Sequence, residues 1–506
     1  MKRKFLTVII LSVGLGVGAR AATPAVRKSP PKTIVASEAG IVGDARTLNT
    51  IAIQQAVDRL SSAGGGTLVF SEGVFKSGCI ILKDGVTLQL ERNAVLSGST
   101  NPADYKSLVP SEAGDNSTLA LIVADKASHI RITGSGLIDG NGRALAIAID
   151  SLRNAPTEEE PNGPDARFRT PETMRPKLLF FSDCEDVLVE GLNLRNSACW
   201  GLSFHGCKNL TVRDIDFVNR AYWNNDGIDI TDCEDVIVRR CQINSADDGI
   251  CLKSYNPASC NRRVLIEDCD IISSASAVKF GTASWGGFRD ITVRNIRARD
   301  TYRSAIALEC VDGGTLENVL VEDIYAVNMG NPIFIRLGHR GGKAPGRVKG
   351  IVIRNVFVEM AYDMPDINYD MRGPDFESVN PRPSSIVGIP GHCIEDVLLE
   401  NIELVYPGRA SKGLSYYPLE QVNQVPELPG NYPEFCMFGE LPAWGFYIRH
   451  ARGVRFRNVR LSLKEADYRY AFILEDARGI RMEQVSLPVL GSGGSVYSID
   501  SELETE

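Results

Sequence analysis

A short alternating motif, apolar–variable–apolar, keeps returning along this chain. It runs through Ile130-Arg131-Ile132, Val187-Leu188-Val189, Leu210-Thr211-Val212, Val236-Ile237-Val238, Val264-Leu265-Ile266, Ile291-Thr292-Val293 and Val319-Leu320-Val321, and continues at Ile351, Val397, Val454 and Ile480. From Val187 to Val319 the first residues are 23, 26, 28, 27 and 28 apart. Period-two alternation over a few residues marks a strand with one buried face. A steady period in the twenties marks a solenoid. No stretch between these strands has the length and 3.6-residue period of a crossover helix. The pattern therefore predicts an all-β fold, a right-handed parallel β-helix in which each turn closes the apolar face its neighbour opens. The wider gaps, Ile132 to Val187 and Ile353 to Val454, predict loop insertions near 150–177 and 361–450.

A solenoid needs its first turn covered. Asn49-Thr50-Ile51-Ala52-Ile53-Gln54-Gln55-Ala56-Val57 predicts a short amphipathic capping helix with Asn49 or Thr50 as N-cap. Gly64-Gly65-Gly66 then turns into the strand Thr67-Leu68-Val69-Phe70. Residues 33–490 are expected to form one domain.

A second column of inward positions passes through Leu202, Ile228, Ile250, Val278, Ile306 and Ile333. Alternation then places two outward rows beside it. One reads Ser203, Asp229, Cys251, Lys279, Ala307, Phe334; the other reads His205, Thr231, Lys253, Gly281, Glu309, Arg336. A mixed, charged stripe of this kind is either a solvated face or a substrate groove. Its acidic end favours the groove. Asn225-Asp226-Gly227-Ile228-Asp229 and Asp247-Asp248-Gly249-Ile250-Cys251 lie 22 residues apart, one turn of the coil. At the usual strand spacing of about 4.8 Å, Asp226 stands over Asp248 with Asp247 beside them. Like charges so close are costly in a partly dry groove, and the arrangement reads as an acid/base site.

Composition narrows the setting. The 506 residues are 43% hydrophobic but only 7% aromatic, with 47 glycines, which suits thin stacked layers. The basic start (Lys2, Arg3, Lys4), the apolar run from Phe5 to Ala19 and Ala19-Arg20-Ala21 predict a signal peptide over residues 1–21 and export to the periplasm or outside the cell. Its removal deletes four positive charges and takes the formal charge from -8 to -12. Nucleic acid and anionic membranes are thereby poor partners. Cys184, Cys207 and Cys233 each precede a strand, and Cys241 and Cys269 share another slot. Most of the twelve cysteines are expected as stacked thiols, leaving room for one or two disulfides. The five histidines lack metal-ligand spacing with the cysteines, so neither a zinc site nor a cofactor is expected.

These segments resemble the polygalacturonase family of glycoside hydrolases, family 28. Asn224-Asn225-Asp226-Gly227-Ile228-Asp229 is similar to the family's Asn-Thr-Asp segment, and Asp247-Asp248-Gly249-Ile250 to its Asp-Asp pair. Gly43-Asp44, Asn49-Thr50, Gly64-Gly65-Gly66 and Gly134-Ser135-Gly136-Leu137-Ile138-Asp139-Gly140 extend the likeness over roughly residues 35 to 360. Two departures stand out. Ser276 takes the place of the family's Gly-His-Gly histidine, and Ala307-Leu308-Glu309 that of its carboxylate-binding Arg-Ile-Lys. The resemblance implies an inverting glycosidase with Asp247 as general acid and Asp226 and Asp248 orienting water. Asp229, Lys253, Lys279, Glu309, Arg336 and His205 are the candidate substrate-binding residues. The missing cations imply that plain polygalacturonan is a poor substrate, beside one carrying a neutral or differently placed sugar, and the insertions favour exo action. The expected partner is a polysaccharide or oligosaccharide, with the protein acting as a monomer.

Some roles stay open on sequence. Asn224 and Asn225 either hold the aspartates or serve the coil's turns. His205 and His339 either contact sugar or are plain surface histidines. Trp200, Trp223 and Trp285 either stack on sugar or pack in the core. Two rival functions also stand. A β-helix lyase would use calcium on Asp226 and Asp248, with Lys253 or Lys279 as base; a non-catalytic glycan-binding β-helix would bind without turnover.

Overall fold

The computed structural model describes residues 32–108, 117–155, 170–363, 365–366, 380–488 and 493–505. The expected signal peptide lies outside them, as does half of the 150–177 insertion. Lys32–Glu506 form one compact unit, a right-handed parallel β-helix. The apolar triplets stack in register: Ile130 on Val187, then Leu210, Val236, Val264, Ile291, Val319, Ile351, Val397 and Val454. Each is essentially fully buried, and the inward columns form one continuous core. Strands Gly494–Ile499 and Leu503–Thr505 add a last turn, so the coil runs past the expected boundary at 490.

The corners explain the polar residues that precede each triplet. His129, Asp186, Asn209, Asp235, Arg263, Asp290 and Asn318 all have φ between 52° and 58°. Asp and Asn tolerate this left-handed conformation better than other side chains. A second corner carries Asp268, Asn295, Asp323, Asn355, Asn401 and Asn458 with the same backbone. There Asn295 donates to Asp268 at 2.6 Å, Asn355 to Asp323 at 3.0 Å, Asn401 to Asn355 at 3.1 Å and Asn458 to Asn401 at 2.8 Å. Along a neighbouring column, Glu267, Arg294, Glu322, Arg354, Glu400, Arg457 and Glu483 alternate in sign. Its ion pairs include Arg294–Glu267 and Arg354–Glu322, each 2.6 Å, and Arg457 at 3.0 Å from both Glu400 and Glu483. Half-exposed pairs stabilise by no more than about 1 kcal/mol each. A slip by one residue would move every one of them to the other face, so the column specifies register.

The capping helix α1 spans Thr50–Ser62 and buries Ile53, Ala56, Val57 and Leu60 over the first turn. Asn49 occupies the N-cap position without capping. Its side chain instead accepts from Val42 N–H at 2.8 Å and donates to the Val42 and Thr47 carbonyls, and the Thr50 hydroxyl accepts from Gly78 N–H at 2.7 Å. A second helix, α2 (Gly142–Arg153), lies where only loop was expected. Leu145, Ala146 and Ile149 form its buried face, a stripe too short to stand out from the strand period around it. All twelve cysteines are free. Cys184, Cys207 and Cys233 stack in one column, their thiols donating to the Ser182, Phe181 and Phe204 carbonyls at 3.3, 3.5 and 3.4 Å.

The gap from 361 to 450 is only partly insertion. It contains the coil strands Ser384–Val387 and Ile394–Tyr406. The true excursion is residues 407–442, between Tyr406 and the strand Ala443–Leu463. Its Val422, Val425, Phe438 and Leu441 form a second small core on the outward-facing Phe334, Val387, Tyr447 and Ile473.

Candidate active site

Ile228 pairs with Ile250 and Asp229 with Cys251, while Gly227 N–H donates to the Asp248 carbonyl at 2.9 Å. The rungs close here because Gly227 and Gly249 lack side chains. A Cβ on Gly227 would meet the Gly249 carbonyl at 2.3 Å, and one on Gly249 the Ala277 carbonyl at 2.6 Å. Asp226 and Asp248, each preceding one of these glycines, are thereby brought one rung apart. Carboxylate oxygens of Asp226, Asp247 and Asp248 lie within 4.8 Å of one another. Asp226 and Asp248 are buried, and Asp247 is half-buried.

The backbone that presents Asp226 is pinned from beneath. The fully buried Arg175 donates to the Ala198 and Trp223 carbonyls at 2.9 and 2.6 Å and to Asn224 Oδ1 at 2.7 Å. Asn225 donates to the Ser197 and Cys199 carbonyls at 3.0 and 2.6 Å, and Asn219 to the Asp226 carbonyl at 2.8 Å. Asn224 and Asn225 thus fix the loop through Arg175 and the Ser197 and Cys199 carbonyls.

Two lysines bracket the aspartates. Lys253 Nζ is 2.6 Å from Asp229, 3.2 Å from Asp226 and 3.2 Å from Cys251 Sγ. Lys279 Nζ is 3.3 Å from Asp248, 3.3 Å from the Tyr432 hydroxyl and 3.5 Å from Glu434. Burial, then the Asp229 charge, pushes Asp226 well above the usual carboxylate range despite Lys253. Burial pushes Asp248 up as well, but Lys279, Lys253 and Arg303 outweigh it and hold that carboxyl below the usual range. Carboxyls on adjacent rungs are therefore shifted in opposite directions.

The pocket above them has a volume of about 410 Å³. Trp200, 4% exposed, lies with Lys253 Nζ 4.2 Å and Lys177 Nζ 4.3 Å from its ring centre. Trp285 is 37% exposed and Tyr432 53% exposed, and both line the pocket with Tyr255 and Arg340. Trp223 packs against the core. Past Tyr255, which lines both, a second cleft of about 820 Å³ runs along Thr231 and His205 to Ser182 and Phe180.

The outward residues fall in the two expected rows, but they are not a solvated stripe. Lys253 lines the pocket. Asp229, Lys279 and Glu309 are fully buried behind it. Burial pushes the Glu309 carboxyl up to about 8, with Lys279 opposing. His205 belongs to the second cleft, its ring 3.1 Å from the Ser203 hydroxyl. Arg336 must be corrected. It is 0% exposed, covered by the excursion, and donates to the Gly388, Glu427 and Leu428 carbonyls at 2.9, 2.7 and 3.1 Å. His339 meets the excursion too, its N–H donating to the Pro429 carbonyl at 2.7 Å. Tyr432, Glu434, Arg303 and Arg340 were not anticipated; their only sequence signal was the aromatic and acidic stretch Tyr432-Pro433-Glu434-Phe435.

Comparison with known proteins places this geometry. The family model "Glycosyl hydrolases family 28" matches residues 67–359, more than half of the chain. A probable polygalacturonase of Vitis vinifera is 25% identical over 405 residues, covering 74% of each chain. An exo-poly-alpha-D-galacturonosidase of Dickeya chrysanthemi is 24% identical over 383 residues, 65% of this chain and 62% of that protein. Among solved structures, a family 28 exopolygalacturonase of Yersinia enterocolitica superposes with a TM-score of 0.55 at 19% identity, covering 92% of this chain and 79% of that one. A polygalacturonase of Erwinia carotovora does so with a TM-score of 0.50 at 15% identity, covering 96% and 99%. The stacked aspartates thus lie within the matched span, and the chain belongs to glycosyl hydrolases family 28, the polygalacturonase family.

Proposed function

We propose that the protein hydrolyses glycosidic bonds in pectin-type polysaccharides or their oligosaccharides, outside the cytoplasm, with inversion and from a chain end. The observation that carries this reading is the set of three carboxyls within 4.8 Å of one another on adjacent rungs, two of them shifted in opposite directions by their surroundings. Asp248, held ionised by its cations, and Asp226 orient the attacking water. Asp247, the most exposed of the three, faces the leaving oxygen and gives it a proton as general acid, while Asp248 takes the proton that the attacking water loses. The oxygens are closer than the ~6.5–9.5 Å of a two-carboxylate inverting site. A third carboxyl removes the need for that distance, since two can hold the water while the other protonates. Exo action is supported by the excursion, which walls one side of the pocket with Tyr432 while the larger cleft opens past Tyr255; the Dickeya and Yersinia relatives are exo-acting by name.

Screening against pectic and other plant polysaccharides, with early products followed by NMR before mutarotation, tests the reading. Single units released with inverted configuration are expected. Net retention would make one aspartate a nucleophile, and a steep early fall in viscosity would mean internal cutting. Because the same three carboxylates are close enough to share a cation, an unsaturated product absorbing in the near ultraviolet would replace hydrolysis with calcium-assisted elimination.

A further inference from the structure

We infer that Glu434 is a specificity-determining residue: it occupies the cations that a substrate carboxylate would need, and so selects an uncharged sugar beside Asp248. This rests on the hydrolase reading above and narrows its substrate class.

A lysine ammonium has three protons to donate. Those of Lys279 are matched by Asp248, the Tyr432 hydroxyl and Glu434, at 3.3, 3.3 and 3.5 Å. Those of Lys253 are matched by Asp229, Asp226 and Cys251. Arg303 pairs with Glu434, and Arg340 is held by both oxygens of Asp312, at 2.9 and 2.7 Å. Each of these four cations therefore already meets a carboxylate of the protein. A uronate seeking Lys279 and Arg303 would have to compete with Glu434 for both. Glu434 is the partner that can be dispensed with. Asp226, Asp229 and Asp248 lie on or beside the coil's strands, whereas Glu434 arrives on the excursion and touches two cations at once. Its side chain is 14% exposed against 6% for Asp248, so of the two carboxylates on Lys279 it is the one a ligand carboxylate could replace.

Glu434→Gln keeps the shape and releases Lys279 and Arg303. The probes are galacturonate and its methyl ester, as free sugars for binding by calorimetry and as matched tri-saccharides for hydrolysis. The wild type should favour the ester. In Glu434→Gln the preference should move toward the free acid by about ten- to a hundredfold, the range of one charge-assisted hydrogen bond. Tyr432→Phe, which frees one Lys279 donor, should move it the same way by less, and Glu434→Asp should retain the wild-type preference. An unchanged ratio in a Glu434→Gln protein of unchanged melting temperature would overturn the assignment, as would a wild type that already prefers the free acid. Because binding is read separately from turnover, a protein that hydrolyses nothing but shows the shift would sink the hydrolase reading and spare this one.

Discussion

Asp226 and Asp248 stand one rung apart on the coil and are driven in opposite directions, the first toward its acid form and the second toward its carboxylate. The contrast arises from which lysine each meets. Lys253 is shared between Asp226 and Asp229, whereas Asp248 has Lys279 beside it and the charges of Lys253 and Arg303 nearby. Substitution can separate the three roles. Asp247→Asn should lower turnover of natural glycosides by about 10²–10⁴-fold, the worth of a positioned acid. With a nitrophenyl leaving group, which needs little protonation, much of that loss should return. Asp248→Asn should lose both activities. If Asp226→Asn is the variant rescued by the good leaving group, Asp226 rather than Asp247 is the acid.

Glu309 makes stability depend on pH. Its folded-state pKa of about 8 exceeds the ~4.3 of an unfolded glutamate, so the folded form binds its proton more tightly. Stability from this group is therefore complete below about pH 4 and is lost as pH rises toward 8. Glu309→Gln should melt at nearly the wild-type temperature at pH 4 and at a higher one at pH 8. Parallel melting curves across that window would show that Glu309 is ionised in the folded protein.

Arg336 reaches the chemistry through the excursion it anchors. Arg336→Met would leave the Glu427 and Leu428 carbonyls without their donor, at about 1–3 kcal/mol for each buried group left unsatisfied. Thermal unfolding should shift down, and limited proteolysis should cut first within 407–442. Turnover should fall with them, although no aspartate has been touched. Wild-type resistance to cleavage in that segment would rule out the anchoring role.

The thiols give a simple check. Cys436 is exposed and Cys79, Cys260 and Cys393 are half-buried, while the other eight are buried. A thiol reagent should find no more than four reactive groups in the native protein and twelve after denaturation without reductant. Fewer than twelve would reveal a disulfide.

The coil itself was legible in the sequence because each rung repeats the same constraint. An inward apolar pair and a left-handed Asp, Asn or Gly at the corner return every turn, and the register of Ile228 on Ile250 follows from counting. The aspartates were legible for the same reason. Helix α2 was not, since three apolar residues over barely one turn carry little periodic signal. The outward rows were placed correctly but given the wrong surroundings: alternation says which way Arg336 points, not that the chain will return some ninety residues later to cover it. Tyr432 and Glu434 lay beyond reach because nothing repetitive links them to Lys279, 153 positions away for Tyr432.

The excursion also imposes an order on how this protein becomes an enzyme. Every residue that closes Gly227 against Gly249 and presents the three aspartates lies before Tyr406 in the chain. A chain made only that far would still lack the tyrosine and glutamate that cover Lys279, leaving that ammonium with two donors open to water or to any passing anion. Selectivity is thus acquired after the reactive groups are in place, as the last part of the polypeptide folds back over work already done. A C-terminally clipped molecule would keep the segments that carry the aspartates but lose the contacts of Tyr432 and Glu434 on Lys279.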